Sequence, residues 1–361
     1  MVFKKRKTVP FLSEQRKKQP CEIRRAAFIS QRELLVVGLN RFRRSTAGNE
    51  DLNDGVAAET VAATVAAAAG EGDAENQRIA VLVDSATDVP PEVVEKYGVF
   101  IAPLHVNYSD GDFLDRVTIQ PEEVYRRFET EIPKTSTPAP ADIMSLFDRI
   151  AAEGYTHVIA VTISSGLSGT YDLVRSIASG RADLQCAVID TRSIGIAAGL
   201  TAVLVCELVG SGMPFSQVVA RAEGTAERSE GFFCVNTLEY LYKGGRIGAA
   251  TYAIGSKLDI RPTIKCNEEG KYVVCAKSHG RKGSLKKTVS LAKKVAAAAL
   301  EEGRSVRFAV AHGDAEAEAR VIADDLKAEF PQAIDVIFCQ ISPALVVHTG
   351  PGLVGVGVSV L

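Results

Sequence analysis

From residue 78 onward, the chain alternates short, almost continuously apolar runs with amphipathic stretches. The runs "RIAVLVD" (78–84), "THVIAVTI" (156–163) and "LQCAVIDT" (184–191) read as strands, and the nearly continuous apolar content of "THVIAVTI" is typical of a parallel strand that is covered on both faces. Each run is followed by a stretch with helical spacing, which in the first case opens with prolines. This β–α alternation predicts an α/β domain with a parallel sheet over residues 78–226.

After residue 226 the order of the elements changes. The stretch "DIRPTIKCNEEGKYVVCAKSHG" (259–280) reads as two strands joined by the turn "EEG", which predicts an antiparallel hairpin. A long helical stretch follows at 284–303, and then a strand, a helix and a strand. This mixed pairing predicts a second, α+β domain over residues 227–361.

The first 77 residues differ from the rest in composition. Residues 1–47 carry thirteen lysines and arginines against three acidic residues, and an Ala-rich stretch follows. Few bulky apolar groups are available for burial, so we expect a disordered extension over residues 1–77. The alternative is a basic tail that contacts RNA, or one that contacts a membrane by inserting "ELLVVGL".

Bulk charge and cysteine use bear on partners and location. The formal net charge of −2 argues against a specific nucleic-acid partner. The seven cysteines are odd in number and contain no C-x-x-C pair, which favours a reduced, cytoplasmic location over a disulfide framework or a zinc site. The five histidines are scattered, so we expect no metal. No apolar run approaches the ~18 residues of a transmembrane segment.

Two hydroxyl-bearing stretches are candidates for a binding site. In "LVDSATDVP" (82–90), Asp84 and Ser85 follow the first strand, and ligands of open α/β sheets bind at the carboxyl ends of strands. In "PKTSTPAPAD" (133–142), Thr135 and Ser136 precede two prolines that hold the backbone extended. The alternative for both stretches is that these side chains cap a following helix.

The stretch "ISSGLSGTY" (163–171) follows another predicted strand. Its glycines permit a close approach of the backbone, the start of the next helix offers free N–H groups, and Ser165 and Ser168 add donors. It matches neither the G-x-S-x-G elbow of hydrolases nor a Walker loop. The alternative is a plain turn between strand and helix. A neutral, hydroxyl-rich turn suits one carboxylate or phosphate.

Two further stretches carry a cation or an imidazole. In "NTLEYLYKGGRIG" (236–248), Arg246 follows two glycines and offers a guanidinium that matches a carboxylate or phosphate. In "HTGPG" (348–352), His348 precedes a tight turn. The alternatives are a helix end with a solvated arginine and a histidine with a structural role.

Taken in order, these five stretches resemble the motifs of the DegV family, the bacterial fatty acid-binding proteins. The resemblance runs from about Arg78 to Leu361. It implies a two-domain α/β fold that holds one long-chain fatty acid in a tunnel between the domains. It also implies a partner, an ATP-dependent fatty acid kinase subunit that phosphorylates the carboxylate, and no cofactor. Thr137 departs from the glutamine that is usual in the family at that position.

The resemblance also assigns roles to single residues. Contact with the fatty acid carboxylate is implied for a set of polar side chains, namely Thr135, Ser136, Ser165, Ser168 and His348. A place at the rim of the site or facing the kinase is implied for Arg246, Arg281, Asp84 and Ser85. The chain is thus expected to be a carrier and not an enzyme. The alternative is an enzyme that uses the same cradle for a small phosphorylated substrate, or for an ester with Ser168 as nucleophile.

Overall fold

The computed structural model describes residues 77–255 and 260–361, which belong to one compact unit. The extension expected over residues 1–77 lies outside the described residues, apart from Gln77. The strands are β1 (Ile79–Asp84), β2 (Phe100–Ala102), β3 (His105–Tyr108), β4 (Gly111–Leu114), β5 (Lys134–Ser136), β6 (His157–Thr162), β7 (Gln185–Asp190), β8 (Glu230–Cys234), β9 (Ile260–Cys266), β10 (Tyr272–His279), β11 (Val306–Gly313), β12 (Val336–Gln340) and β13 (Leu353–Val360). The helices are α1 (Pro91–Tyr97), α2 (Pro121–Arg127), α3 (Pro140–Ala152), α4 (Thr170–Ser179), α5 (Ile196–Gly210), α6 (Phe215–Arg228), α7 (Glu239–Lys243), α8 (Ala249–Gly255), α9 (Gly280–Glu301), α10 (Glu316–Glu329) and α11 (Pro343–Thr349).

The first sheet has four parallel strands in the order β2-β1-β6-β7. Successive side chains of a strand point to opposite sides of the sheet, and helices cover both sides of its central strands. Leu82 packs with helices α3 and α4, whereas Val81 and Val83 pack with helices α5 and α6. The nearly continuous apolar runs follow from this double coverage, and the predicted α/β layer is confirmed.

The second sheet has six strands in the order β10-β9-β8-β13-β11-β12, and only β11 and β12 pair in parallel. Helices α9 and α10 cover its outer face. The predicted hairpin at 259–280 is confirmed as the antiparallel pair β9–β10. The fold is therefore mixed α/β, as expected, with a parallel sheet and a separate mixed sheet.

Helix α5 contacts strands of both sheets, β1 and β6 on one side and β11 and β13 on the other. A helix that is apolar all round must be buried all round, and ten residues of α5 are buried. The parallel sheet precedes the expected domain boundary at residues 226/227, and the six-stranded sheet follows it. The division into two domains stays a prediction.

A third, three-stranded antiparallel sheet has the order β4-β3-β5. The run "VFIAPLHVNY" (99–108) reads as a single strand from its composition, but it is divided between β2 and β3 at Pro103 and Leu104. Proline has no N–H to donate to a ladder, and the Leu104 N–H donates to the Ser85 hydroxyl at 3.0 Å. Within the described ranges, no helix has the length and hydropathy required to span a bilayer.

Candidate functional site

A cavity of about 390 Å³ lies where loops from the two larger sheets meet. We call it the polar cavity. It is lined by Ala86, Leu104, Thr135, Ser136, Thr137, Ile163, Ser165, Leu167, Ser168, Gly169, Ile194, Arg246, Tyr272, Ala344, Leu345 and His348. The structure thus brings together all five predicted carboxylate contacts and Arg246, although they come from four separate stretches of the chain. Whether they bind a carboxylate stays a prediction.

Strand β5 and helix α11 meet at one wall of the polar cavity. The Thr135 hydroxyl lies 2.6 Å from Nε2 of His348, and Nδ1 of the same ring is buried without a hydrogen-bond partner. Burial, and secondarily the charge of Arg246, lowers the pKa of His348 to about 3. The imidazole is therefore neutral at physiological pH, and it can either donate to Thr135 or accept from it.

Gly244 allows this arrangement, because its backbone lies directly against the imidazole ring. A Cβ at Gly244 would come within 2.2 Å of Nδ1 of His348. Gly244 is thus needed for close approach, and not only as a helix end, whereas Gly245 has a left-handed backbone with open space around it. The same turn places Arg246 in the wall of the polar cavity.

Arg246 is the cation of the polar cavity. Its guanidinium donates to the Gly244 carbonyl at 2.6 Å, and burial lowers its pKa. No carboxylate of the described residues contributes to that pKa or pairs with the side chain. A half-buried charge without a counter-ion is unfavourable unless an anion approaches it. The cavity therefore favours an anionic ligand.

The serines that line the polar cavity differ in whether their hydroxyl proton is free to bind a ligand. The Ser165 hydroxyl donates to Asp190 at 2.5 Å, so it must rotate before it can donate into the cavity. Ser168 shares a hydrogen bond of 2.9 Å with Thr170, and either atom can be the donor. Ser136 accepts from the side-chain amide of Asn107, which leaves the proton of its hydroxyl available.

A buried hydrogen bond attaches this loop to the hairpin of the six-stranded sheet. The Ser164 hydroxyl donates to the Gly270 carbonyl at 2.8 Å and accepts from the Gly166 N–H. A Cβ at Gly270 would lie 1.9 Å from that hydroxyl, and one at Gly166 would lie 2.4 Å from the Glu269 carbonyl oxygen. The hairpin turn thus sets the position of the serine loop.

Buried acidic side chains anchor the start of helix α11, which carries His348. Asp88 accepts from the Ser342 N–H at 2.8 Å, and Asp115 accepts from the Ala344 N–H at 3.3 Å. Burial raises the pKa of each carboxyl to about 6. Arg116 offsets the charge of Asp88, and its guanidinium also donates to the Gln340 carbonyl. These bonds join segments that are more than two hundred residues apart in the chain.

Three residues expected at the rim or facing the kinase do not line the polar cavity. Asp84 is 1% exposed, accepts from the Ala86 and Ile163 N–H groups, and so caps the short 3-10 turn at 85–87. Ser85 is buried and donates to Asp115. Arg281 pairs with Glu318 and does not line the cavity. The capping alternative applies to Asp84, because its carboxylate accepts from the Ala86 N–H at the start of the 3-10 turn. Thr135 and Ser136, by contrast, lie in β5 and cap no helix.

An apolar channel continues from the polar cavity. Ile194, Tyr272 and Leu345 line both spaces. The remaining lining residues are Ser193, Gly195, Ile196, Ala197, Gly231, Phe232, Phe233, Cys266, Ala311, Ile341, Thr349, Leu353, Gly355, Val356 and Gly357. The channel is small, about 50 Å³. A polar end and an apolar extension together suit an amphiphile with an anionic head.

Two contributors were missed by the sequence predictions. Asp190 ends β7, which lies beside β6, so its position at the carboxyl end of a parallel strand was a usable signal. Tyr272 comes from the second sheet and follows a turn, and nothing in its local sequence connects it to the serine loop. Its burial within the site raises its pKa.

Within residues 77–255 and 260–361, Ser168 and His348 are not part of a catalytic triad. Ser168 pairs with Thr170 and not with the imidazole, whose Nδ1 has no carboxylate partner. A serine nucleophile requires a bonded base that is itself oriented by an acid. The carboxylate of Asp84 accepts from the backbone N–H groups of Ala86 and Ile163.

The fold and the two spaces define a class of mixed α/β proteins with a hydroxyl-lined cavity that opens into an apolar channel. The model of the DegV family, described as "Uncharacterised protein, DegV family", matches residues 78–360. A DegV domain-containing protein of Clostridium acetobutylicum is 38% identical over 280 residues, which cover 78% of this chain and 98% of the relative. The chain belongs to the DegV family.

Solved structures of the family have the same fold. A DegV family protein from Thermus thermophilus, described as binding fatty acid, has a TM-score of 0.72 at 27% identity and covers 79% of this chain and all of its own. A stearic acid-binding protein from Eubacterium ventriosum has a TM-score of 0.71 at 25% identity, with 78% and 98% coverage. The resemblance noted from the five motifs is thus confirmed.

Proposed function

We propose that this protein binds one long-chain fatty acid, with the carboxylate in the polar cavity and the acyl chain in the apolar channel. The observation that carries the proposal is the position of Arg246. This cation has no carboxylate partner among the described residues, and it lies in a wall of hydroxyls that continues into an apolar channel. The fatty acid binding described for the two structural relatives supports the same assignment.

The energetics fit such a ligand. A carboxylate that is removed from water is stable only when hydrogen bonds and a counter-charge replace its hydration. Thr135, Ser136, Ser168 and Arg246 can supply these. Each buried methylene adds about 0.8 kcal/mol, so the affinity comes mainly from the chain. A neutral His348 fits this arrangement, since it can share a proton with Thr135 without repelling Arg246.

We further propose that the protein is a carrier and that a separate ATP-dependent kinase phosphorylates the bound carboxylate. Ser136 and Ser165 are exposed at the polar cavity, so the head group is within reach of a partner from that side. In the reaction, a carboxylate oxygen attacks the γ-phosphorus of ATP, the bond from that phosphorus to the β–γ bridging oxygen breaks, and the products are the acyl phosphate and ADP. The missing triad supports a carrier over the alternative, an esterase that uses Ser168.

Lipid extraction followed by rebinding tests the first proposal. The purified full chain should release fatty acid on extraction, and the delipidated protein should rebind hexadecanoic acid. Hexadecanol is the matched ligand, because it has the same chain without the charge. The acid should bind at least tenfold more tightly than the alcohol, and Arg246→Gln should reduce that preference. Equal affinity for acid and alcohol, or no binding of either, would overturn the assignment.

Reconstitution with an acyl kinase tests the second proposal. With ATP, kinase and fatty acid-loaded protein, acyl phosphate should form, and hydroxylamine should trap it as the hydroxamate. Omission of this protein should abolish the product. Hydrolysis of an ester or a phosphate by the protein alone, abolished in Ser168→Ala, would instead support the enzyme.

A further inference from the structure

Strand β13 has side chains of very different size on its two faces. On the outer face, Val354, Val356 and Val358 pack into the core beneath helices α9 and α10. On the inner face, which looks toward helix α5, Leu353 is followed by Gly355 and Gly357. Buried strands normally carry branched apolar side chains on both faces, and glycine in a strand marks a close approach of another group. The missing bulk on the inner face is what opens the channel.

The two glycines have different neighbours. Gly357 pairs with Ala309 and Gly231 on the adjacent strands, and a Cβ at Gly231 would lie 2.6 Å from Cβ of Ala197. A Cβ at Gly357 would lie 3.2 Å from Cα of Ala197. Helix α5 therefore rests on this row.

At Gly355 no atom of helix α5 is among the three nearest neighbours of a Cβ built on the backbone. The residues paired with Gly355 are Ala311 and Phe233, and the three atoms nearest to the Cβ would be Cβ of Phe233 at 3.5 Å, the Phe232 carbonyl oxygen at 3.7 Å and Cδ2 of Leu353 at 3.9 Å. These are ordinary van der Waals distances, and the backbone of Gly355 is not left-handed. A side chain is therefore compatible with the fold at Gly355, and it would project into the channel.

We propose that Gly355 sets the length of acyl chain that the protein accepts, and that the contact of Ala197 with the Gly231–Gly357 row closes the channel. This inference rests on the proposed fatty acid binding and adds the residues that select among fatty acids. Because the volume of the channel is small, a methyl group added at Gly355 occupies space that a methylene of the ligand would fill.

The test measures the affinity of the delipidated full chain for dodecanoic, tetradecanoic, hexadecanoic and octadecanoic acids. In Gly355→Ala and Gly355→Val, affinity for the longer acids should fall by about fourfold for each methylene that is excluded from the channel. Affinity for dodecanoic acid should be unchanged within about twofold. Ala197→Gly removes the methyl group at the closed end and should shift the preference toward longer acids.

Gly111→Ala is the matched control. It makes the same change in strand β4, where a Cβ would meet the Phe113 ring at 3.5 Å and no channel residue is near. Its chain-length profile should equal that of the wild type. If Gly355→Val does not fold, Gly355→Ala decides the question.

The outcomes separate this inference from the proposed function. An unchanged profile in Gly355→Ala, or an equal loss for all four acids, overturns the inference while fatty acid binding stands. A wild-type protein that binds none of the four acids overturns both. A selective loss of the longer acids supports the role of Gly355.

Discussion

Replacement of Thr135 by valine tests the wall that Thr135 and His348 form together. Valine keeps the shape of threonine and removes the hydroxyl that lies 2.6 Å from Nε2 of His348. Since Nδ1 is already buried without a partner, the imidazole then has no hydrogen bond at all. An unsatisfied buried polar group costs about 1–3 kcal/mol, so the unfolding free energy of the ligand-free protein should fall by that amount.

The same substitution should weaken fatty acid binding separately from stability. A hydrogen bond to a charged group is worth about 1.5–3 kcal/mol, which corresponds to a loss of roughly tenfold to a hundredfold in affinity. Urea denaturation of the delipidated protein gives the first quantity, and displacement of a fluorescent fatty acid gives the second. Both are measured on the same preparation.

Thr288→Val is the control for this experiment. Its hydroxyl lies 3.2 Å from that of Thr263, both residues are fully buried, and neither lines the polar cavity or the channel. The control should lose stability and keep its affinity for fatty acid. If Thr135→Val loses stability and still binds fatty acid like the wild type, then Thr135 supports the fold and does not contact the carboxylate.

Three further substitutions test other parts of the structure. Burial raises the pKa of Asp88 to about 6 from its ordinary 3.8. The protonated carboxyl therefore makes its full contribution to the free energy of unfolding below about pH 4, and this contribution is lost as the pH rises through 6. The stability of Asp88→Asn relative to the wild type should therefore increase between pH 4 and pH 8, by up to about 3 kcal/mol in urea titrations, and a difference independent of pH would contradict this. Gly270→Ala would place a Cβ 1.9 Å from the Ser164 hydroxyl and should lower the melting temperature far more than Gly212→Ala, which has the same left-handed backbone but open space; equal losses would refute the role of the hairpin turn. Arg281→Ala should leave fatty acid affinity unchanged within about twofold, since the side chain lies outside the cavity, and a lower rate in the kinase assay alone would return Arg281 to the kinase-facing surface.

Most of the fold could be predicted from periodicity. The apolar runs that became β1, β6 and β7 are long enough and uniform enough to require coverage on both faces, and the hairpin at 259–280 was visible from its turn. The break between β2 and β3 was missed, because a run with one proline still reads as apolar and extended. The pairing of that segment depends on the Ser85 hydroxyl, to which the Leu104 N–H donates.

The candidate site was only partly predictable. Thr135, Ser168 and His348 were singled out because they lie next to prolines or glycines that restrict or turn the backbone, and the family resemblance implied their contact with a carboxylate. Asp84 and Ser85 have the same appearance in the sequence, yet they are buried and bonded to backbone and to Asp115. The residue type does not determine whether a polar side chain is buried or faces a cavity. Polar residues that line the site and polar residues that are buried could therefore not be distinguished from the sequence.

Local sequence alone determined which segments became strands and helices, because side-chain periodicity acts over a few residues. Tertiary structure decided which polar groups meet, since the bonds from Thr135 to His348 and from Ser164 to Gly270 join segments far apart in the chain. The channel is a tertiary property for the same reason. The space beside Gly355 is open or filled according to where helix α5 rests on the sheet. That contact depends on how the helix packs against both sheets.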